Sequence, residues 1–158
     1  MKIGQADVRA LLEGMVDLQR EEIAGILEGL DDEEARRRLV PSLTTPLGLV
    51  KHATFVERVW FHSRVAGIPR RDLGIPATVD ESFELGSEDT VDSVRTAYLE
   101  VCDHSRKVTA GRDLDEEYDW HGNSVSLRFV YAHMIQELAR HAGHGDILVE
   151  QIRAARKP

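Results

Sequence analysis

The amino-acid sequence predicts an all-α fold, a four-helix bundle with a long crossover connection. Four long segments carry apolar residues at the three- and four-residue spacing of amphipathic helices. A stretch that contains prolines and glycines, residues 67–86, separates the second segment from the third and is too long for a tight turn. Neither side of that stretch has enough helices to close a core alone. We therefore expect residues 1–158 to form a single domain.

The first helix is predicted from about Gln5 to Leu30, because apolar residues recur at helical spacing from Val8 to Leu27. The segment DDEEARRRLV, residues 31–40, follows it. Its acidic start and basic end complement a helix dipole, so this segment predicts a short helix.

The second long helix has a clear start in the sequence. Thr45 can cap it, and Pro46 suits the first helical position because proline lacks the N–H that would be unpaired there. The helix is expected to end near Gly67, with Pro69 just beyond it. The long crossover begins at that point.

The third helix is predicted from near Ser87 until Gly111. An acidic connector, residues 112–123, leads to the fourth helix, which begins near Ser124 or Ser126 and continues to the end of the apolar-periodic stretch. The sequence shows no convincing strand alternation, so no strand is predicted.

Charge and cysteine content restrict the class of protein. The formal net charge is -8, with 28 acidic against 20 Lys and Arg residues, so a basic face for nucleic acid is not expected. No run approaches the roughly 18 apolar residues of a membrane span, and Asp7 and Glu13 interrupt the N-terminal segment where a signal peptide would be apolar. The single cysteine, Cys102, fits a reducing compartment and a small core residue. A cytoplasmic protein is expected.

Polar residues interrupt the apolar face of the fourth helix in the segment ELARHAGHGD. Counted at about 100° per residue from His133, Glu137 lies near 40°, His141 near 80° and His144 near 20°. Apolar side chains occupy the same sector, between about 60° and 100°; these are Val130, Met134, Leu148 and Ile152. A carboxylate and imidazoles are costly on such a face unless they are paired or bind a metal.

The second helix shows the same conflict at His52, which has apolar neighbours on its own face. If the second and fourth helices face each other, His52 can meet Glu137, His141 and His144 inside the bundle. Imidazole and carboxylate ligands with an open position are typical of a catalytic divalent-metal site, and residues three or four apart on a helix can reach one ion. The alternative for each histidine is a hydrogen-bonded core residue.

Other residues near these positions have more than one interpretation. His133 is either a residue that supports the metal ligands or a structural histidine, and Trp60 either shapes a pocket or packs in the core. Glu57 is either a partner of the site or a solvated helix charge, the latter being favoured. The remaining histidines are expected on the surface or in connectors and receive no role; these are His62, His104 and His121.

Several other active-site motifs are absent from the sequence. It contains no HExxH motif of zincin proteases and no Glu-x-x-His pair of di-iron bundles. The G-x-S-x-G motif of α/β-hydrolases and glycine-rich phosphate loops are also absent.

The segments TTPLGLVKHATFVERVWF and SLRFVYAHMIQELARHAGHGDIL resemble the DinB-like metalloenzyme superfamily, with its actinobacterial "mini-circle" branch the most similar. The resemblance implies a four-helix bundle in up-down-down-up order that is often dimeric. It also implies a metal site with one histidine from the second helix and two from the last, spaced H-x-x-x-H and followed by R-G-Q.

In this sequence HAGH stands where the family has HRGQ. The resemblance therefore assigns His52 and His141 as ligands, with Glu137 in place of the commoner histidine, as in the distantly related mycothiol-dependent maleylpyruvate isomerases. His144 has no counterpart in the family motif, and it is either an added ligand or a replacement for Glu137.

By the same resemblance, we expect a divalent metal, zinc or nickel, and a low-molecular-weight thiol such as mycothiol as co-substrate. The implied function is a metal-dependent transferase or isomerase acting on a small electrophile, with the metal lowering the pKa of the thiol. The alternative is a non-enzymatic dimeric helical module whose metal is structural or absent.

Overall fold

The computed structural model of the protein describes residues 7–156 and confirms the all-α bundle. Its long helices are α1 (Val8–Gly25), α3 (Pro46–Glu57), α4 (Val91–Thr109) and α5 (Leu127–Ala154). Helix α1 packs along α5, and α3 packs against both α4 and α5. The face between α3 and α5 is where the candidate site lies.

The helix starts follow the capping residues of the sequence. The Thr45 hydroxyl accepts from the Gly48 N–H at 3.0 Å with Pro46 in the first turn, and the Ser126 hydroxyl accepts from the Phe129 N–H at 3.3 Å. The predicted cap at Thr45 and the predicted helix start near Ser126 are therefore confirmed. Helix α4 begins after Thr90 rather than near Ser87, because Thr90 forms a capping box with Ser93.

The first helix is shorter than the sequence predicts. Asp7 caps it by accepting from the Ala10 N–H at 2.9 Å, and the predicted start at Gln5 lies outside the described residues. It gives way to turns after Gly25 that end in Gly29, at a φ of 70°. The predicted short helix is present as α2 (Asp32–Ala35) and omits the basic residues that follow.

The prediction of no strands is wrong for the acidic connector. Strands β1 (Glu117–Trp120) and β2 (Asn123–Ser126) pair antiparallel, with Trp120 opposite Asn123. His121 and Gly122 form the turn at positive φ values of 54° and 78°, which suits a two-residue hairpin. Strands of four residues are too short for their alternation to stand out in a sequence.

Helix α3 continues without a break into a π-helix, Arg58–Val65. A π-helix hydrogen-bonds each residue to the fifth along, so side chains beyond Arg58 leave the positions that a regular α-helix would give them. His62 is consequently buried, which corrects its assignment to the surface. Its Nε2 atom lies 3.3 Å from the Val101 carbonyl and 3.2 Å from the Ser105 hydroxyl.

Glu57 is fully buried, with 0% of its surface exposed, so its interpretation as a solvated charge is wrong. Arg20 of α1 donates from Nε to Glu57 Oε1 at 2.8 Å and from Nη2 to Oε2 at 2.9 Å. The two charges neutralise each other, and the paired bonds satisfy both carboxylate oxygens.

The crossover confirms the predicted long connection and contains two short 3₁₀ turns, Arg70–Asp72 and Asp80–Phe83. The second turn packs against α3 and brings Ser82 and Phe83 to the candidate site. Within residues 7–156, no helix combines the length and apolarity needed to cross a bilayer.

Candidate metal centre

Three side chains with metal-binding atoms converge between α3 and α5. His52, Glu137 and His141 each offer a ligand atom, and these atoms all lie within 4.8 Å of one another. His141 Nε2 lies 3.1 Å from Glu137 Oε1, and His52 Nε2 lies 3.7 Å from the same oxygen. The structure thus brings together three of the four predicted ligands.

Helical spacing and packing create this arrangement. Glu137 and His141 are four residues apart on α5, so their side chains lie on one face of the helix. His52 is buried on the inner face of α3, and its ring stacks on Phe83 with 4.1 Å between the centroids. The His52 and His141 rings meet edge to face at 4.7 Å.

Ser82 fixes the tautomer of His52. The Ser82 hydroxyl donates its one proton to the Val79 carbonyl, so it can only accept from His52 Nδ1, which lies 2.7 Å away. Burial lowers the pKa of His52, which keeps the ring neutral. Its Nε2 atom therefore presents a lone pair towards the Glu137 carboxylate.

Two further observations bear on whether this cluster could hold a cation. The hydrogen bond from His141 Nε2 holds the pKa of Glu137 far below its usual range, so the carboxylate is charged. The Nδ1 atom of His141 is buried and has no hydrogen-bond partner among residues 7–156. A lone pair and a carboxylate that face each other fit a divalent cation, and two imidazoles with one carboxylate are a known zinc donor set.

His144 lies outside this cluster. Its side chain is exposed, and its ring centroid is 5.6 Å from that of His141. Its role as a ligand stays a prediction.

His133 and Trp60 lie one helical turn from the cluster. The two rings are 4.1 Å apart, and Trp60 is buried while His133 is half-buried. Trp60 also packs against Trp120 of the hairpin at 5.6 Å. His104 and His121 are exposed as expected, although the His104 ring packs on His62 at 4.1 Å.

Cys102 is buried in the core, as predicted. Burial, with the nearby Glu57 charge, raises the pKa of its thiol to about 12. The thiol therefore stays protonated near neutral pH, and Cys102 cannot supply a thiolate nucleophile.

Sequence reasoning missed Ser82 and Phe83, which contact His52 from the crossover. Helical periodicity carries no information about a 3₁₀ turn that folds back over a distant helix. The only local signal is a serine beside an aromatic residue in DESF, residues 80–83.

Comparison of the sequence with known proteins identifies a family. A comparison with curated proteins gives no significant match. The family model described as MST, mycothiol-S-transferase, matches residues 11–154, which include His52, Glu137 and His141. The match agrees with the DinB-like resemblance of the sequence. The chain belongs to the mycothiol-S-transferase family.

Proposed function

We propose that this protein is a divalent-metal-dependent transferase that joins the sulfur of mycothiol to a small electrophile. The observation that carries the proposal is the convergence of His52, Glu137 and His141 within 4.8 Å. The family match supports mycothiol as the thiol.

The three residues would hold zinc or nickel, both of which accept imidazole and carboxylate ligands. When bound, the ion supplies Lewis acidity that lowers the pKa of a thiol coordinated to it. Ser82 holds the His52 ring so that Nε2 faces the ligand site, and Phe83 shields that ring from water.

In the proposed transfer, the mycothiol thiol loses its proton to solvent and its sulfur attacks an electrophilic carbon. A new S–C bond forms while the bond to the leaving group breaks, and the leaving group departs with the electron pair. Because the Cys102 thiol is buried and protonated, the reacting sulfur comes from the small-molecule thiol. The same thiolate would also serve an isomerisation, in which it adds and later leaves.

The rival hypothesis is a non-enzymatic helical module with a structural metal or none. A structural zinc site is closed by four protein ligands, whereas three ligands leave a position for substrate. The side chains of Glu137 and His141 remain 20% and 12% exposed, which supports access to the site from solvent.

We also propose that the chain acts as a homodimer in the cytoplasm. Val8, Leu11 and Leu18 are exposed on one side of α1, which supports an apolar contact with a second copy. Light scattering of the purified protein distinguishes a monomer from a dimer.

The transferase proposal is tested by mixing zinc- or nickel-loaded protein with mycothiol and 1-chloro-2,4-dinitrobenzene and following the conjugate by absorbance. We expect His52→Ala, Glu137→Gln and His141→Ala to reduce kcat/KM by roughly a hundredfold or more, because Lewis-acid activation is worth several kcal/mol. His104→Ala, at an exposed position of α4, is the matched control. The kcat/KM of His144→Ala determines whether His144, the fourth predicted ligand, contributes to activity. Absence of metal-dependent conjugation and of saturable mycothiol binding would support the non-enzymatic module.

A further inference from the structure

A group of aromatic and cationic side chains continues the metal-centre face along the π-helix and α5. We call it the Arg64 subsite and define it by Trp60, Arg64, Trp120, Phe129 and His133. The Arg64 guanidinium lies 4.0 Å from the centroid of the Trp60 ring, and that ring lies 4.1 Å from His133. His133 is one helical turn before Glu137, about 6 Å along the axis of α5. The subsite therefore adjoins the metal centre.

One hydrogen bond holds the Arg64 guanidinium in place, but another of its N–H donors has no acceptor among the described residues. Its Nε atom donates to the Asp119 carbonyl at 3.0 Å, which fixes the guanidinium over Trp60. Its Nη1 atom is buried and has no hydrogen-bond partner in the part of the chain that the structure describes. The Asp119 carboxylate accepts from the Gly122 N–H within the hairpin turn. A half-buried guanidinium with an unused donor is costly unless an anion or other acceptor completes it.

His133 adds a second polar group with spare hydrogen-bonding capacity. Its half-buried ring makes no hydrogen bond to another residue within 7–156, and its contacts are with the aromatic rings around it. Arg140 is on the same helix, and its Nη1 atom lies 3.7 Å from Glu137 Oε2. Although the whole chain has a net charge of -8, cationic side chains thus flank this face at both ends.

The aromatic rings beside Arg64 pack against one another and form an apolar surface. Trp60 and Trp120 have centroids 5.6 Å apart, and Trp120 and Phe129 have centroids 5.5 Å apart. Trp120 and Phe129 are half-buried, so part of each ring faces solvent. The solvent-facing parts of these two rings suit a planar apolar group by stacking.

We propose that the Arg64 subsite binds the electrophile through a carboxylate, with Arg64 and His133 contacting the anion and the partly exposed rings of Trp120 and Phe129 contacting a planar apolar body. The assignment of this ligand to the electrophile rests on the proposed transferase function. The subsite itself is a property of side chains that lie outside the metal-binding cluster. A carboxylate at Arg64 would accept a hydrogen bond from the unpartnered guanidinium donor. It would also orient the rest of the ligand along the face towards Glu137.

Intrinsic fluorescence tests the proposal directly, because both tryptophans of the chain, Trp60 and Trp120, belong to the subsite. Chelator-treated protein without thiol is titrated with 4-nitrobenzoate and with the neutral 4-nitrobenzamide, after correction for absorption with free tryptophan. Omitting metal prevents the carboxylate from binding to an ion, and omitting thiol makes the result independent of transferase activity.

We expect saturable quenching by 4-nitrobenzoate and at least about tenfold weaker binding of the amide, since a hydrogen bond to a charged carboxylate is stronger than one to a neutral amide. Arg64→Gln should remove this preference for the carboxylate, and Arg64→Lys should keep part of it. Arg71→Gln, at an 85% exposed side chain, is the matched control and should leave the preference unchanged.

Equal affinities for the two probes, or an undiminished preference in Arg64→Gln, would overturn the proposal. The comparison of probes on the unmodified chain keeps this test decisive if Arg64→Gln fails to fold. If 4-nitrobenzoate binds as expected but mycothiol conjugation fails, the subsite stands and the transferase proposal falls. If conjugation succeeds and the carboxylate preference is absent, only the subsite proposal falls.

Discussion

Helix α3 buries ionisable side chains at two places that differ in one respect. At Glu57, the bidentate pair with Arg20 uses both carboxylate oxygens and leaves no net charge. At His52, a lone pair faces the Glu137 carboxylate at 3.7 Å, and the buried Nδ1 of His141 has no partner within residues 7–156. The chain itself supplies hydrogen-bond partners and a counter-charge for Glu57. In the His52 cluster, some polar atoms have no such partner within residues 7–156. This difference supports the proposal that the His52 cluster binds a ligand, whereas the Arg20–Glu57 pair stabilises the fold.

The largest expected effect concerns the Arg20–Glu57 pair. Arg20→Met or Glu57→Leu alone should lower the free energy of unfolding by about 3–5 kcal/mol, because each leaves a buried charge without its partner. Urea denaturation followed by circular dichroism measures the change. The double variant should recover most of the loss and retain the metal. A double variant as unstable as the single ones, or one that loses the metal, would remove the distinction between the two regions.

Zinc should stabilise the protein through the cluster of His52, Glu137 and His141. The Arg20–Glu57 pair should not contribute to this effect. Zinc at about 100 times its dissociation constant should raise the free energy of unfolding by about 2.7 kcal/mol, since binding to the folded state stabilises it. Glu137→Gln keeps the size of the side chain and should abolish the increase. Denaturation with and without zinc provides the measurement, and equal stabilisation of Glu137→Gln would contradict the assignment.

Ser82 should affect metal binding without being a ligand. Ser82→Ala removes the bond that fixes the His52 ring, so zinc affinity should fall by about tenfold to a hundredfold. Competition with a chromophoric chelator measures the affinity. Ser87→Ala is the matched control, because Ser87 is an exposed serine between the crossover and α4. An unchanged affinity in Ser82→Ala would show that packing on Phe83 alone orients the ring.

The smallest effect is the pH dependence of the metal-free protein. Burial lowers the pKa of both His52 and His62, so the unfolded chain binds more protons than the folded one below about pH 6.5. Stability should therefore be complete above that pH and fall as the pH drops, by at most about 1.4 kcal/mol per pH unit for each histidine. His62→Gln should reduce the slope of the free energy of unfolding against pH. A flat profile between pH 5 and about 7 would contradict these directions.

The parts of the molecule that follow local rules could be predicted from the sequence. The caps at Thr45 and Ser126, and the shared face of Glu137 and His141, follow from contacts between residues three or four apart. His52 was found because an imidazole on an apolar face conflicts with its surroundings.

The parts that escaped prediction depend on partners distant in sequence or on irregular geometry. Glu57 is buried because Arg20 reaches it from another helix, and its own helix gives no sign of that pairing. The π-helix changes the direction of His62, so counting at about 100° per residue does not apply to it. Ser82 reaches His52 through a crossover whose path the sequence does not encode in any periodicity.

Elemental analysis of the purified, dialysed protein is the most direct test of the central claim that His52, Glu137 and His141 form a metal centre. We predict one equivalent of a divalent ion per chain and loss of most of it in both His52→Ala and His141→Ala, with the fold retained by circular dichroism. Full metal content in both folded variants would contradict it.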